Sequence, residues 1–398
     1  MDERWIHPNT ITGDAATAER YLRREYINEE FWREVQKGNH ILFVAPRRVG
    51  KTSIMKDLAT NCPDGYVCVY EDIEGVRTRT VFYRRIFELI LHCADRSKFQ
   101  AAKAFLRRCF ENYSIKEITK SGIKIENNKI DYEREVRALI PQLKDAEVHA
   151  VIFLDEFAEV IHKLRDDQPQ DAVDILHTLR ELRHDDDFSH FTIVYAGSIG
   201  LESVIKNIDR PKLINDLHPI KLGALSEEEA TILIKQVTQR ATMKLSEEVV
   251  VYLIQKIEYL LPYYLQLMIE AIDELAFKEK NADVTVGMVD RAFERILCER
   301  KNFEDWLERL KDYKRDNFTF INEILKYAAH KGKIPIQMVY DKAKEYARTD
   351  DYMDFIDELV RDGYLIESYG GVYRFVTPFL KQFWLRKYPI YEQHRPKL

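Results

Sequence analysis

Short apolar runs, separated by segments of helical period, dominate the first half of the chain. The runs lie at residues 40–45, 66–70, 150–154 and 191–195, and each is bounded by turn-forming or charged residues. Short runs rich in Val, Ile, Phe and Tyr predict buried strands. Strands that alternate with helices indicate a parallel sheet covered on both faces. The first half of the chain is therefore predicted to be an α/β domain.

Helices are predicted around these strands at 15–37, 50–60, 80–92 and 172–182. Residues 94–147 are charged and irregular, and only a hairpin around 115–130 is expected within them. Helical periodicity takes over after about Leu225 and continues to about Arg300. Its first helix is expected to begin at Ser226, because Ser-Glu-Glu-Glu is the pattern of a capping box.

The last part of the chain has a different pattern. Three helices are predicted, and then two strands around Gly370-Gly371, over the ranges 322–331, 336–347, 350–362 and 364–376. Three helices followed by a hairpin are typical of a winged helix. We therefore expect three domains: an α/β domain at 1–224, a helical domain at 225–300 and a winged helix at 301–398.

Composition supports a soluble globular protein. Of 398 residues, 45% are apolar and 32% are charged, which is the balance of a folded, water-soluble chain. No run of about 18 apolar residues occurs, and the N-terminal residues lack the apolar core of a signal peptide. The five cysteines have neither metal-ligand spacing nor a disulfide framework. The expectation is a reduced, cytoplasmic protein without a membrane segment, and its net charge of −6 does not favour nucleic-acid binding.

A candidate phosphate-binding loop follows the first predicted strand. The consensus is G-x-x-x-x-G-K-[ST] between a strand and a helix, and Gly50, Lys51 and Thr52 match its end. Ala45 replaces the first glycine and is tolerable if its φ stays negative. Lys51 would reach the β- and γ-phosphates of ATP, and the Thr52 hydroxyl would bind Mg²⁺. The predicted ATP-binding segment is Ala45, Pro46, Arg47, Arg48, Val49, Gly50, Lys51, Thr52 and Ser53.

A second motif follows the third predicted strand, where residues 151–154 are apolar and Asp155-Glu156 come next. Asp155 is predicted to help bind Mg²⁺, and Glu156 to polarise the attacking water. A Gly-Lys-Thr tripeptide or an Asp-Glu pair alone can be an ordinary helix start or a solvated strand end. Both motifs in the right order, separated by strand and helix units, predict ATP binding and hydrolysis.

Two further features near this site leave alternatives open. Ser198, after the fourth predicted strand, either contacts the γ-phosphate and the attacking water or belongs to an ordinary turn. Arg47 and Arg48 could contact phosphate or a neighbouring carboxylate. Asp72 and Glu74, after the second strand, are candidates for that carboxylate or for magnesium binding.

These residues resemble a known family. The segments HILFVAPRRVGKTSIM, VIFLDEF, LHTLRELR, VYAGSIGLESVI, INDLHPIKLGALSEEEA and LLPYYLQL are similar to AAA+/STAND-type ATPases of the bacterial and archaeal "archaeal ATPase" group. The resemblance covers roughly residues 10–300. It implies a P-loop ATPase domain and a helical lid with the nucleotide between them, and its C-terminal part resembles the winged helix that such proteins often carry.

The resemblance also implies individual residues. Pro262 stands where the lid proline packs on adenine, although the preceding glycine of that motif is missing. Arg24 stands where the family has an arginine–glutamate pair near the adenine pocket. The arginine finger is unassigned: Arg180, Arg183 and Arg210 are candidates, and a solvated helix charge is the favoured interpretation of each.

The third helix of the predicted winged helix argues against DNA as its partner. It carries one base, Arg361, against the acidic residues Asp350, Asp351, Asp354, Asp357, Glu358 and Asp362. Duplex DNA would repel such a face, and sequence-reading helices need Arg, Lys, Asn or Gln. Its apolar residues are explained as core, and residues 379–388, aromatic and basic, are expected to pack back onto the domain. We expect a protein-interaction or autoinhibitory module.

The leading functional prediction is a slow, ATP-hydrolysing switch whose nucleotide state controls domain packing, as in stress or phage-defence systems. Its expected partners are ATP or ADP, and another protein or further copies of the chain. One alternative is a DNA-transaction ATPase, such as a replication initiator or transposition helper. A small-molecule kinase is a third reading, but the sequence marks no acceptor pocket with a base of its own.

Overall fold

The computed structural model describes residues 5–113, 115–119, 122–125, 130–197, 200–206, 211–299, 301–313 and 317–391. The chain divides into two compact units. One unit contains residues 23–45 and 51–222, and the other contains residues up to 22, residues 46–50 and residues from 223 onwards. Residues 5–22 therefore group with the C-terminal half rather than with the α/β part, where the predicted first domain had put them. The three-domain division otherwise stays a prediction.

The unit of residues 23–45 and 51–222 contains seven strands and nine α-helices among the described residues. The strands are β1 (Ile41–Val44), β2 (Tyr66–Asp72), β3 (Ile115–Thr119), β4 (Gly122–Ile125), β5 (His149–Asp155), β6 (Phe191–Tyr195) and β7 (His218–Lys221). The helices are α1 (Glu25–Gln36), α2 (Lys51–Thr60), α3 (Arg79–Arg96), α4 (Gln100–Tyr113), α5 (Tyr132–Leu139), α6 (Gln142–Asp145), α7 (Phe157–Asp167), α8 (Pro169–His184) and α9 (Leu201–Lys206).

The main sheet of this unit has five parallel strands in the order β2-β5-β6-β1-β7. Strand β5 is central and hydrophobic, and its residues from Ala150 to Asp155 are buried. Strand β6 lies between β1 and β5 and is parallel to both. The carboxyl ends of β1 and β5 are therefore at the same edge of the sheet, and the loop after β1 and the acidic pair after β5 begin there. Ligands of open α/β sheets bind at this edge. The parallel sheet predicted from the four apolar runs is confirmed.

Several local predictions were incomplete. The helix expected at 15–37 is confined to α1, and a short 3-10 helix spans Ala18–Arg20. The hairpin predicted around 115–130 is present as β3 and β4, but α4, α5 and α6 also lie within the segment that the sequence analysis left irregular. Helix α7 was missed because it begins directly after the acidic pair, and the turn that separates it from β5 is the single residue Glu156.

The unit of residues 5–22, 46–50 and 223–391 is mainly helical. Its helices are α10 (Glu227–Thr238), α11 (Glu247–Ile257), α12 (Pro262–Glu279), α13 (Val286–Cys298), α14 (Lys301–Tyr313), α15 (Phe318–Lys331), α16 (Ile336–Glu345), α17 (Tyr352–Arg361) and α18 (Pro378–Lys387). Its strands are β8 (Ile334–Pro335), β9 (Leu365–Tyr369) and β10 (Val372–Phe375), in the order β8-β10-β9. The predicted capping box is confirmed, because the Ser226 hydroxyl accepts from Glu229 N–H and the Glu229 carboxylate accepts from Ser226 N–H.

Helices α15, α16 and α17 and the β9–β10 hairpin are the elements from which the sequence predicted a winged helix, an assignment that stays a prediction. Helix α18 packs back onto this region as expected. Trp384 is fully buried and its indole N–H donates to Asn322 Oδ1 at 3.0 Å. Helix α14, which the sequence analysis did not predict, buries Phe303 and Trp306 in the same unit.

Candidate functional site

The loop between β1 and α2 contains two residues in the left-handed conformation. Positive φ angles occur at Arg48 (68°) and Gly50 (91°). A left-handed conformation suits glycine and costs an arginine about 1 kcal/mol. Ala45 is not among the described residues with positive φ, so alanine is unstrained in place of the consensus glycine. Helix α2 begins at Lys51, and its first N–H groups are the kind of donors that bind phosphate.

Lys51 and Thr52 contact groups from two other strands of the sheet. The Lys51 ammonium is buried and donates to the Gly197 carbonyl, after β6. The Thr52 hydroxyl donates to Asp155 Oδ2, at the end of β5, at 2.7 Å. Asp155 is itself 2% exposed. The structure therefore brings together two residues that the sequence singled out for magnesium binding.

Asp155 has a further partner that sequence reasoning missed. The Tyr70 hydroxyl, on β2, donates to the same Asp155 Oδ2 at 3.1 Å. Burial first, and then the Asp155 carboxylate, raises the pKa of Tyr70, so its hydroxyl remains a donor at neutral pH. Tyr70 looked like an ordinary strand residue in the sequence. Only the in-register pairing of β2 with β5 indicates that it faces the acidic end of β5.

Glu156 lies at the sharp turn from β5 into α7. Its φ is 59°, and its N–H donates to Asp155 Oδ1 at 3.1 Å. Asp72, paired with Asp155 in the β2–β5 register, has a raised pKa because of burial and the nearby carboxylates of Asp155 and Glu156. The carboxyl edge of β2 and β5 is thus a concentration of negative charge.

The donors at this edge suit magnesium held together with phosphate. Among the described residues, no group of three or more His, Cys, Asp or Glu side chains could hold a metal ion alone. Mg²⁺ in nucleotide sites uses one or two protein oxygens, substrate phosphates and water. Thr52 Oγ1 and Asp155 Oδ2, in direct contact, are two such oxygens.

The two loop arginines form an ion-pair cluster with α14. Arg47 Nη2 and Arg48 Nη2 donate to Asp305 Oδ2 at 2.9 and 3.3 Å. The Arg47 guanidinium lies 5.3 Å from the centre of the Trp306 ring, and that of Arg48 lies 4.1 Å from the centre of Tyr263. The predicted carboxylate partner exists, but it is Asp305 rather than Asp72 or Glu74. Asp305 was missed because 257 residues separate it from Arg48.

The other predicted residues have varied surroundings. Pro262 is the first residue of α12, directly before Tyr263, and Arg24 is buried immediately before α1. Arg183 is not the solvated charge that was favoured: it is buried and donates to Asp216, Leu213 O and Tyr195. Arg180 donates to Asn215 Oδ1 at 2.8 Å. Ser198 and Arg210 lie outside the described residues.

The fold is similar to those of solved ATPase structures. A Walker-type ATPase of Pyrococcus abyssi matches with a TM-score of 0.61 at 13% identity, covering 92% of this chain and 96% of that one. The ORC2 protein of Aeropyrum pernix matches in its ADPNP–ADP complexes with a TM-score of 0.54 at 12% identity, covering 96% and 94%. Neither a protein-family model nor a curated protein matches the sequence. At this identity the likeness establishes the fold alone, which the chain shares with these solved structures.

No helix within the described ranges is long and apolar enough to cross a membrane.

Proposed function

We propose that the chain binds ATP with Mg²⁺ and hydrolyses it slowly, as a regulatory switch of the AAA+/STAND kind. The observation that carries this proposal is the direct hydrogen bond between Thr52 and Asp155. It joins the end of the phosphate-binding loop to the acidic end of β5, which is the pairing that a magnesium–nucleotide site requires. The AAA+ fold supports the same proposal.

The roles follow from chemistry and position. The Lys51 ammonium, now donating to the Gly197 carbonyl, would turn to the β- and γ-phosphates, whose charge makes them stronger acceptors than a neutral carbonyl. Thr52 and Asp155 would hold Mg²⁺, which neutralises charge on the phosphates when bound. The N–H groups of the loop up to Gly50 would bind phosphate oxygens.

Glu156 is the proposed general base. It comes directly after Asp155, and its left-handed backbone turns the chain into α7 at the carboxyl edge of the sheet. A carboxylate there can orient a water and accept its proton. Ser198 is proposed to assist by contacting the γ-phosphate, Arg24 and Pro262 to contact adenine, and the remaining loop residues Ala45, Pro46, Val49 and Ser53 to shape the turn.

Regulation is proposed because the sequence marks a hydrolysis site and no second catalytic constellation. The proposed output of nucleotide binding is a change in domain packing that alters binding to another protein or to further copies of the chain.

The alternative of a DNA-transaction ATPase draws on the Aeropyrum pernix ORC2 likeness, but α17 opposes it. Phe355, Ile356 and Leu359 are buried in the protein, as expected for core residues, whereas Met353 is exposed. Asp357 on this helix and Asp350 just before it are exposed, and both would repel a phosphate backbone. A protein partner is the better proposal.

Measurement of phosphate release from ATP tests the proposal directly. Lys51→Ala should bind ATP weakly, whereas Glu156→Gln should bind it normally and hydrolyse it about 10²-fold more slowly or worse. Glu111→Gln, an exposed change on α4, is the matched control and should behave as wild type. Unchanged hydrolysis in Glu156→Gln would refute the role of that residue.

The same assay separates the alternatives. Duplex or single-stranded DNA should leave the rate of phosphate release unchanged at physiological salt. Size measurements with ATP and with ADP should differ if the nucleotide controls self-association. Strong stimulation by DNA, with sequence-dependent binding of the full chain, would favour the DNA-transaction ATPase instead.

A further inference from the structure

The hydrogen bonds around Arg47 and Arg48 are incomplete. Both arginines donate to a single oxygen, Oδ2 of Asp305. Three buried donors have no hydrogen-bond partner among the described residues: Arg47 Nη1, Arg48 Nε and the indole N–H of Trp306. Buried donors are almost always paired, and leaving one unpaired is destabilising. The other Asp305 oxygen, Oδ1, is also buried without a partner, so three unpaired donors remain for one spare oxygen, and the cluster can bind more oxygen atoms than Asp305 supplies.

The charges in the cluster also favour binding of a further anion. Burial, and next the guanidinium of Arg309, lowers the pKa of Arg47, and Arg48 lies beside it. Asp305 brings one negative charge to the two guanidinium ions of Arg47 and Arg48. A phosphate has more oxygens and more charge than a carboxylate, and guanidinium groups bind it through bidentate hydrogen bonds.

The position of the arginines identifies the anion. Arg47 and Arg48 belong to the loop that ends in Gly50-Lys51-Thr52, where nucleotide phosphates are proposed to bind. We propose that Asp305 and a phosphate of bound ATP compete for Arg47 and Arg48. This inference rests on the proposed function, and it adds that the chain carries its own competitor for phosphate on α14.

Competition has a consequence for α14 and its neighbours. Trp306 follows Asp305, and its carbonyl accepts a 2.7 Å hydrogen bond from the Tyr364 hydroxyl, just before β9. Pro46 in the loop faces Gly363, where an added Cβ would come within 2.7 Å of the proline Cβ. Release of Asp305 by phosphate would thus loosen contacts of the loop with α14 and with the turn before β9. A partner that binds α14 when Asp305 is released would have its affinity changed by ATP, and by linkage it would change the affinity for ATP by the same factor.

Calorimetric titration with a non-hydrolysable ATP analogue and Mg²⁺ tests the competition. Asp305→Asn removes the competing charge, so it should bind the analogue on the order of tenfold more tightly than wild type. It should bind adenosine, which has no phosphate, no more tightly. Asp312→Asn, an exposed change on the same helix, should match wild type. Equal affinity of wild type and Asp305→Asn for the analogue, or equal tightening for adenosine, would overturn the inference.

A double-mutant cycle separates competition from a general change in charge. In an Arg47→Gln/Arg48→Gln background, Asp305→Asn should have no effect on the affinity for the analogue. An equally large gain in that background would mean that Asp305 acts through its field alone, and would sink the inference. If Asp305→Asn does not fold, hydrogen exchange of residues 303–313 in wild type replaces it. Exchange there should quicken when the analogue binds, and unchanged exchange would contradict the competition.

The experiments distinguish failure of the competition from failure of the ATPase proposal. A wild type that binds the analogue and hydrolyses ATP, with Asp305→Asn unchanged in affinity, contradicts the competition and leaves the ATPase proposal standing. Failure of both wild type and Asp305→Asn to bind the analogue contradicts both.

Discussion

The Thr52 hydroxyl donates a 2.7 Å hydrogen bond to Asp155 Oδ2, although 103 residues separate the two in the chain. Thr52 lies in the first turn of α2 and Asp155 at the end of β5. Strand β6 lies between β1 and β5 in the sheet. The contact therefore depends on the order of strands, and it makes the pair a sensitive point at which to test the proposed magnesium site.

Thr52→Ala should weaken the apparent affinity for Mg²⁺ without unfolding the protein. It removes one proposed magnesium oxygen and the donor that orients Asp155. We expect the apparent Mg²⁺ affinity, measured from hydrolysis rates across a magnesium titration, to fall by about 10-fold or more. Thr52→Ser keeps the hydroxyl and should retain most activity, and Thr60→Ala, exposed at the end of the same helix, should match wild type. A Thr52→Ala protein with wild-type magnesium dependence would contradict the assignment.

Tyr70→Phe tests the second donor to Asp155. The change removes one hydroxyl and keeps the ring, so the free energy of unfolding should fall by only about 1 kcal/mol. Groups that orient a metal-binding carboxylate typically affect metal affinity 10-fold or more, so magnesium affinity should weaken about 10-fold. Tyr369→Phe is the control, because Tyr369 is 87% exposed. A change in stability with no change in magnesium dependence would reduce Tyr70 to a packing residue.

The sequence was sufficient for the sheet and for the two motifs at its edge. Apolar runs such as 150–154 are a local signal, and so is Gly50-Lys51-Thr52. Tyr70 and Asp305 were missed for a different reason. Each acts through a residue far away in the chain, and nothing in its immediate neighbours distinguishes it from a strand tyrosine or a solvated helix carboxylate.

The helical segments were predicted less well where charge masked their period. Helix α4 buries only Ala102, Phe105, Leu106 and Cys109, and charged residues interrupt them. For residues 15–24 the error was the opposite one: a helix was predicted, but only a short 3-10 helix at Ala18–Arg20 is present. These residues have helical propensity, yet polar groups before α1 make other contacts: the Arg20 side chain donates to Asn9, and the backbone carbonyls of Glu19 and Tyr21 accept from the Gln236 side chain. Tertiary contacts override a weak local preference there.

Stability should fall in mild acid because of His40. Its ring is buried before β1, Nδ1 accepts from Ile193 N–H at 2.9 Å, and burial lowers its pKa to about 3. The unfolded chain takes up a proton near pH 6.5 while the folded one does not. The stabilisation is therefore complete above pH 6.5 and is lost as the pH falls toward 3, with about 2 kcal/mol lost by pH 5.

Urea unfolding at pH 7 and pH 5 measures this loss. His40→Gln should be less stable at pH 7, because the Ile193 N–H loses its fitted acceptor, but its stability should depend less on pH. His177→Gln, an exposed change on α8, should leave the pH dependence of wild type intact. Identical pH dependence of wild type and His40→Gln would show that His40 titrates normally in the folded protein.

Gly363, before β9, lies against Pro46 of the loop between β1 and α2. Its φ is 83°, and a Cβ there would lie 2.7 Å from the Cβ of Pro46 and 3.8 Å from the Trp306 ring. Alanine would therefore suffer both backbone strain and overlap with the loop. Gly370, with φ of 56° and nothing within 4 Å of an added Cβ, separates the two effects.

Gly370→Ala should lower the free energy of unfolding by about 1 kcal/mol, the cost of a left-handed alanine. Gly363→Ala should lower it by about 2–4 kcal/mol, because overlap with Pro46 adds to the same strain. Urea midpoints of the two variants give the difference. Gly363→Ala should also change ATP affinity, since Pro46 can relieve the overlap only by moving the loop, whereas Gly370→Ala should bind ATP as wild type does. Equal stability losses and equal affinities in the two variants would mean that Pro46 and Gly363 are not in contact in solution.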